Sequence, residues 1–152
     1  MGGATIWLTG IPGSGKSTIS QEVYRQLIEG GHHRCEVFDG DVIRAHISQD
    51  LGFSREDRDA NILRIGWVAQ LLTKHGVIAV VAVISPFEAT RSRVREMVTA
   101  VGGPNSFIEV YVKCPLEECM RRDPNGLFRQ ARDGEISALT GVDAPYEVAM
   151  LP

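Results

Sequence analysis

The chain is poor in cysteine: Cys35, Cys114 and Cys119 are the only three in 152 residues. No Cys-x-x-Cys pair and no His/Cys ligand spacing occurs, which argues against a zinc module. So small and odd a set also argues against a secreted domain stapled by disulfides. Cys35 and Cys114 lie in or beside strand-like runs and read as buried, reduced thiols. The histidines of "GHHRC" (31–35) read as a solvated loop rather than a metal site. An excess of basic charge is lacking too: 16 Lys and Arg face 19 Asp and Glu, for a net charge of −3. A nucleic-acid groove would favour the opposite sign, so none is expected. Apolar runs long enough to cross a bilayer are missing, as are a secretory leader pattern, repeats and low-complexity tracts. The expected location is cytoplasmic, away from membranes. At this length a single domain over residues 1–152 with a real core is expected.

Glycine, by contrast, is plentiful, and it is concentrated where it carries chemistry. "GIPGSGKST" (10–18) matches the pattern G-x-x-x-x-G-K-[ST] of a phosphate-binding P-loop. Glycines at 10, 13 and 15 permit backbone angles that turn N–H groups inward around an anion. Gly13, Ser14, Gly15, Lys16, Ser17 and Thr18 are the expected ATP contacts. Lys16 reaches the β- and γ-phosphates as a point charge. The Ser17 hydroxyl suits Mg2+, which prefers hard oxygen ligands. The loop sits between an apolar run, "ATIWLT" (4–9), and a helical pattern placing Ile19, Val23 and Leu27 on one face. Strand, loop and helix is the context this motif requires. The helix N-terminus adds a favourable dipole.

Further along, apolar runs alternate with amphipathic helical patterns. Strands are expected at 35–38, 77–83 and 107–112. Helices are expected over 61–76, with Ile62, Ile65, Ala69 and Leu72 inward, and over 88–103, with Val94, Met97, Val98 and Val101 inward. Another helix begins at Pro115. The alternation predicts an α/β fold of the P-loop NTPase type, a parallel sheet with helices on both faces. Ligands of such sheets sit at the carboxyl ends of the strands. Three strands here lead into polar segments: the P-loop, "DGD" (39–41) and "ISPF" (84–87). Those ends should converge on one crevice.

Phosphoryl transfer rests on positioning and charge neutralisation. Two carboxylates flanking Gly40 can divide the work, with Asp39 in the metal shell and Asp41 as the base that takes the acceptor's proton. "DVIRAHI" looks helical, so Asp41 also reads as a helix N-cap. Arg44, one turn later, and Arg58 after "GFSRED" are candidate grips for an anionic acceptor. The cluster Arg44, Arg91, Arg93 and Arg95 is ordinary for a phosphate-handling enzyme.

In order, "GSGKST", "FDGDVIR", "DLGFSREDRDANILRIG", "VISPF", "RVRE", "FIEVYV", "CPLEECMRRDPNGL", "ARDGEI" and "TGVDAPYE" span nearly the whole chain. This succession resembles the adenylyl-sulfate (APS) kinases. The P-loop alone is shared by many NTPases, whereas the ordered set is specific. The resemblance implies transfer of the ATP γ-phosphate to the 3′-hydroxyl of adenosine 5′-phosphosulfate, giving PAPS and ADP. It implies that Asp41 and Arg44 border the APS site, that Phe53 stacks on its adenine, and that Arg58 and Asn61 contact its phosphosulfate and ribose region. Ile84 and Ser85 would line the same pocket. Ser85 is expected as a contact in direct in-line transfer rather than as a phosphoserine intermediate. Residues 121–136, with four arginines, Pro124 and Gly126, resemble a mobile lid, and Arg122 would neighbour the ATP adenine. A homodimer and a fusion or association with ATP sulfurylase are further implications.

Three positions depart from the family pattern. Asn125 replaces a usual lysine, and Leu139 stands where an aromatic would complete a clamp with Phe53. The chain given ends at "MLP" (150–152), so the family's C-terminal edge strand and helix are expected to be absent. Two alternatives follow: a kinase for another nucleotide-linked acceptor, such as a cytidine diphosphate derivative, and a domain that binds ATP or APS but turns over weakly. A shikimate- or gluconate-type kinase fits the P-loop but not "DLGFSREDR".

Overall fold

A computed structural model describes residues 2–148. Four parallel strands, β1 (Ala4–Thr9), β2 (Cys35–Asp39), β3 (Ile78–Ala82) and β4 (Phe107–Tyr111), form a sheet of order β2-β3-β1-β4. β1 is central. Trp7 lies opposite Val81 on one side and Glu109 on the other. Because side chains alternate across a strand, β1 divides its apolar residues between two faces. Trp7, with Ala79, Val81 and Phe107, packs against Ile62, Ile65 and Ala69 of α3 (Arg55–Lys74) and Val94 and Val98 of α4 (Glu88–Gly102). Ile6 and Leu8, with Val80, meet Val23 and Leu27 of α1 (Lys16–Glu29). The parallel sheet is therefore covered on both faces, which accounts for the unbroken apolar run of β3.

Several sequence expectations shift in detail. Ile19 is exposed: it stands near the start of α1, ahead of the stretch that crosses the sheet, while Val23 and Leu27 pack on it. Val101 is likewise exposed, near the end of α4. α3 begins at Arg55, six residues before the expected Asn61. Ser54 caps it, accepting from the Asp57 N–H at 3.1 Å, and the Asp57 carboxylate accepts from the Gly52 N–H at 2.8 Å. Both cap groups were visible as "SRED", and acidic residues in a first turn also favour the helix dipole. Cys114 is half-buried, whereas Cys119, inside α5 (Leu116–Arg122), is fully buried.

The segment expected as a lid contains the end of α5, a turn, and α6 (Leu127–Arg132). Phe128 of α6 is buried with Cys119 and Leu139 in a small cluster of its own, flanked by Ile11 and Leu116. Asp123 and Gly126 adopt left-handed backbone angles on the near side of α6, as Gly134 and Ala138 do on the far side. Among the described residues no helix is long and apolar enough to cross a membrane. The expectation for residues 150–152 and for a strand and helix beyond them lies outside the described residues.

Candidate active site at the carboxyl edge of the sheet

The P-loop joins β1 to α1. Gly13 and Gly15 both have positive φ, 79° and 106°, and Gly15 serves as the N-cap of α1. A Cβ on Gly13 would stand 3.2 Å from the Cys119 carbonyl oxygen, so α5 closes one wall of the loop. The Lys16 ammonium donates to the carbonyls of Gly10 and Ile11, both at 2.9 Å. Burial holds its pKa down to about 8 from an ordinary 10.5, against the pull of Asp39, Cys119 and Asp41. A cation so poorly solvated gains more from a polyphosphate than a hydrated one would. Ser17 and Thr18 are exposed beside it.

β2 delivers the aspartates to this loop. The Ser17 hydroxyl donates to the Asp39 carboxylate. The other Asp39 oxygen accepts from the Asp41 N–H at 3.1 Å and caps α2 (Gly40–His46). The cap is thus Asp39, not Asp41 as expected: β2 runs one residue further than "CEVF", which puts Asp39 at the strand-to-helix junction. Asp41 is left exposed in the first turn of α2, without the capping duty. The pairing of Ser17 and Asp39 unites two hard oxygen donors, a set suited to Mg2+ completed by phosphate oxygens and water. Among the described residues no group of three or more His, Cys, Asp and Glu could hold a metal.

A cationic shelf lies along α2 and the start of α3. Phe53 is 62% exposed, with the Arg44 guanidinium 4.4 Å from its ring centroid and that of Arg58 at 6.0 Å. Burial lowers the pKa of both arginines, and proximity to Arg44 lowers that of Arg58 further. Two like charges around an open ring favour an anion carried by a flat group. Arg44 also donates to the carbonyls of Leu51 and Gly52. Arg58 donates to the Phe53 carbonyl at 2.9 Å, the Thr140 hydroxyl at 2.5 Å and the Ala138 carbonyl. It therefore ties the Phe53 segment to residues 138–140, across some eighty positions of sequence. Asn61, one turn after Arg58, is buried, and its Oδ1 has no hydrogen-bond partner among the described residues.

The end of β3 supplies the third side. Ile84 is half-buried. Ser85 is 1% exposed and has a φ of 42°, a left-handed conformation that costs a non-glycine residue about 1–3 kcal/mol. Its hydroxyl accepts from the Trp7 indole N–H at 3.0 Å, so it is turned into the core. Thr9, the residue before the P-loop, donates to the Ile84 carbonyl at 2.6 Å. The crevice edges of β1 and β3 are thereby stitched together.

Other expected site residues stand further out. Arg122 is exposed in α5 and pairs with Glu118 at 3.1 Å. Asn125 is exposed in the turn before α6. Leu139 is 8% exposed and packs with Cys119 and Phe128, which places its side chain in the small cluster between α5 and α6 rather than free to complete a clamp with Phe53. One residue escaped the sequence reading: Arg91, grouped there with Arg44, Arg93 and Arg95 as an ordinary basic cluster, is 0% exposed and donates to the carbonyls of Ser85 and Glu147. Its position just after "ISPF", at the start of an inward-facing helix, was the available signal.

Known proteins resemble this chain over nearly its whole length. A family described as adenylylsulphate kinase matches residues 2–152. An adenylyl-sulfate kinase of Synechococcus sp. (strain JA-3-3Ab) is 51% identical over 150 residues, covering 99% of this chain and 81% of that protein. A probable adenylyl-sulfate kinase of Bacillus subtilis (strain 168) is 51% identical over 147 residues, covering 97% and 72%. Among solved structures, the Mycobacterium tuberculosis APS kinase CysC in complex with AMPPNP and APS superposes with a TM-score of 0.92 at 44% identity, covering 99% of this chain and 86% of that one. The chain belongs to the adenylylsulphate kinase family.

Proposed function

We propose that this protein transfers the γ-phosphate of ATP to the 3′-hydroxyl of adenosine 5′-phosphosulfate, giving PAPS and ADP. The observation that carries the reading is the placement of two unlike subsites at one sheet edge. The P-loop, with its buried lysine, suits a polyphosphate, and the Arg44–Phe53–Arg58 shelf suits an aromatic base bearing an anionic link. The solved relative described with AMPPNP and APS supports both assignments.

In this reading Gly13, Ser14, Gly15, Lys16, Ser17 and Thr18 hold the ATP phosphates, and Arg122 lies toward the adenine. Ser17 and Asp39 are the protein's ligands to Mg2+, which offsets phosphate charge when bound. Asp41 accepts the proton of the 3′-hydroxyl as its oxygen attacks the γ-phosphorus. The bond from that phosphorus to the β–γ bridging oxygen breaks, and the electron pair leaves on ADP. Arg44, Phe53, Arg58 and Asn61 hold APS, with Ile84 and Ser85 as the pocket floor. The bond from Trp7 to the Ser85 hydroxyl supports direct transfer, because a buried, occupied oxygen is a poor nucleophile. Leu139 acts through the lid cluster rather than by stacking. Residues 121–136 close over the phosphates and keep out water. The reading takes residues 1–152 as one unit, a homodimer in solution, at work in the reducing cytoplasm, where the free cysteines persist. Association with ATP sulfurylase would supply its APS.

The test is product analysis with ATP, Mg2+ and APS beside a panel of other nucleotide acceptors. PAPS formed with APS alone supports the reading. Transfer to a different acceptor keeps the kinase and reassigns the shelf. Binding of ATP and APS without transfer to any acceptor overturns the catalytic reading.

A further inference from the structure

Arg91 stands near the start of α4, just after the turn that ends β3, and is fully buried. Its two terminal nitrogens are both committed: one donates to the Ser85 carbonyl at 2.6 Å, the other to the Glu147 carbonyl at 2.7 Å. Those carbonyls belong to segments more than sixty residues apart. The Glu147 N–H in turn donates to the Pro86 carbonyl at 2.7 Å, so the two segments are joined twice. Tyr146 completes the latch. Its ring lies 5.6 Å from the guanidinium and stacks on Tyr111, with centroids 5.9 Å apart. The Thr9 hydroxyl already donates to Ile84, so the Tyr146 hydroxyl donates to Thr9, at 2.8 Å. Below the guanidinium, Glu109 of β4 offers a carboxylate at 3.8 Å, itself 3.7 Å from Arg95.

A fully buried cation is costly unless its partners repay it. Here the partners are two carbonyls, one from the turn after β3 and one from the Tyr146–Glu147 segment, with the Glu109 carboxylate beyond them. One of them belongs to Ser85, whose left-handed backbone persists only where its surroundings hold it. We infer that Arg91 is a positioning residue for the acceptor: it latches the Tyr146–Glu147 strap onto the Ile84–Pro86 turn and so sets the pocket floor against the end of β1, where the P-loop begins. A planar fork reaches both carbonyls at once, which a lysine ammonium on a flexible stem does not. The inference rests on the proposed acceptor site, because it assigns Ile84 and Ser85 to that pocket.

The experiment compares wild type with Arg91→Lys, Arg91→Met and Tyr146→Phe. Steady-state kinetics would be measured for both substrates, with hydrogen–deuterium exchange of the peptides spanning 84–90, 140–148 and the P-loop. Arg91→Lys should raise KM for APS about tenfold or more, the loss expected when one charge-assisted hydrogen bond is gone, while KM for ATP changes by less than about twofold. Arg91→Met should be worse than Arg91→Lys on APS alone, so that the conservative change rescues in part. Exchange should quicken in 84–90 and 140–148 and stay unchanged in the P-loop. Should the Arg91 variants fail to fold, Tyr146→Phe decides: it removes one hydroxyl from the latch, and KM for APS should rise about threefold with KM for ATP constant. Equal changes in both KM values, or no change in either, overturn the inference. Absence of turnover by wild type on APS is a different failure, that of the proposed acceptor, and the exchange pattern then still reports whether Arg91 holds the two segments.

Discussion

The two halves of the crevice are built on opposite plans. The phosphate cradle comes from one short stretch, Gly10 to Thr18, and its lysine bonds to carbonyls five and six residues away. The proposed acceptor side is assembled from α2, α3, the turn after β3 and residues 138–147, joined by contacts that span 56 to 137 positions. A local cradle depends on backbone angles that glycine alone adopts at little cost. A dispersed pocket depends instead on buried polar groups that hold distant segments at fixed separations, and each of these is expensive to orphan.

The comparison breaks most sharply at Lys16. Lys16→Ala removes the cation proposed to face the β- and γ-phosphates, and single-turnover transfer should fall about 10³-fold; near-normal turnover would displace the P-loop from the chemistry. Asp41→Asn tests the junction of the halves. Loss of a general base should slow the chemical step about 10²-fold while ATP binding, followed by calorimetry, stays within about twofold. An unchanged step would move the base elsewhere.

A third test uses pH. Folding lowers the Lys16 pKa from 10.5 to about 8, chiefly by burial. Between those values the unfolded chain carries a proton that the folded chain has released. Stability without nucleotide should therefore rise as pH goes from about 8 to 10.5, by about 3 kcal/mol more in wild type than in Lys16→Met. Parallel curves from denaturant melts would show that the lysine is not desolvated.

On the acceptor side, Phe53→Ala should weaken APS binding by about 1–3 kcal/mol, the worth of base–aromatic stacking. Its exposed ring leaves the melting temperature nearly unchanged. A variant that binds APS normally would move the base off the shelf. Leu139→Phe is the mildest change. As a stacking residue it would tighten APS binding, but its burial against Cys119 and Phe128 predicts overpacking, with about 1 kcal/mol of stability lost and no gain in affinity. Tighter APS binding without lost stability would return Leu139 to the clamp.

These contrasts parallel what was legible without coordinates. The four strands and their parallel arrangement followed from apolar runs alternating with helical periods. Two of the misreadings fall where a boundary depends on a single hydrogen bond. Asp39 rather than Asp41 caps α2 because β2 runs one residue further, and α3 starts at Arg55 because Ser54 caps it. Periodicity is blind to both, since neither changes the apolar pattern. Arg91 was not singled out from its cluster for a related reason: the burial of a charge depends on partners from remote segments that repay it.

By itself the sequence determined the P-loop, the α/β layering and the family, because those rest on local backbone preference, strand and helix periods, and an ordered set of motifs. Only the tertiary structure decided that the Ser85 hydroxyl faces Trp7, that Leu139 is buried with Cys119 and Phe128, and that Arg58 and Arg91 bridge distant segments. Those outcomes depend on which buried polar group finds which partner, and residues eighty positions apart carry no record of that pairing in their local pattern.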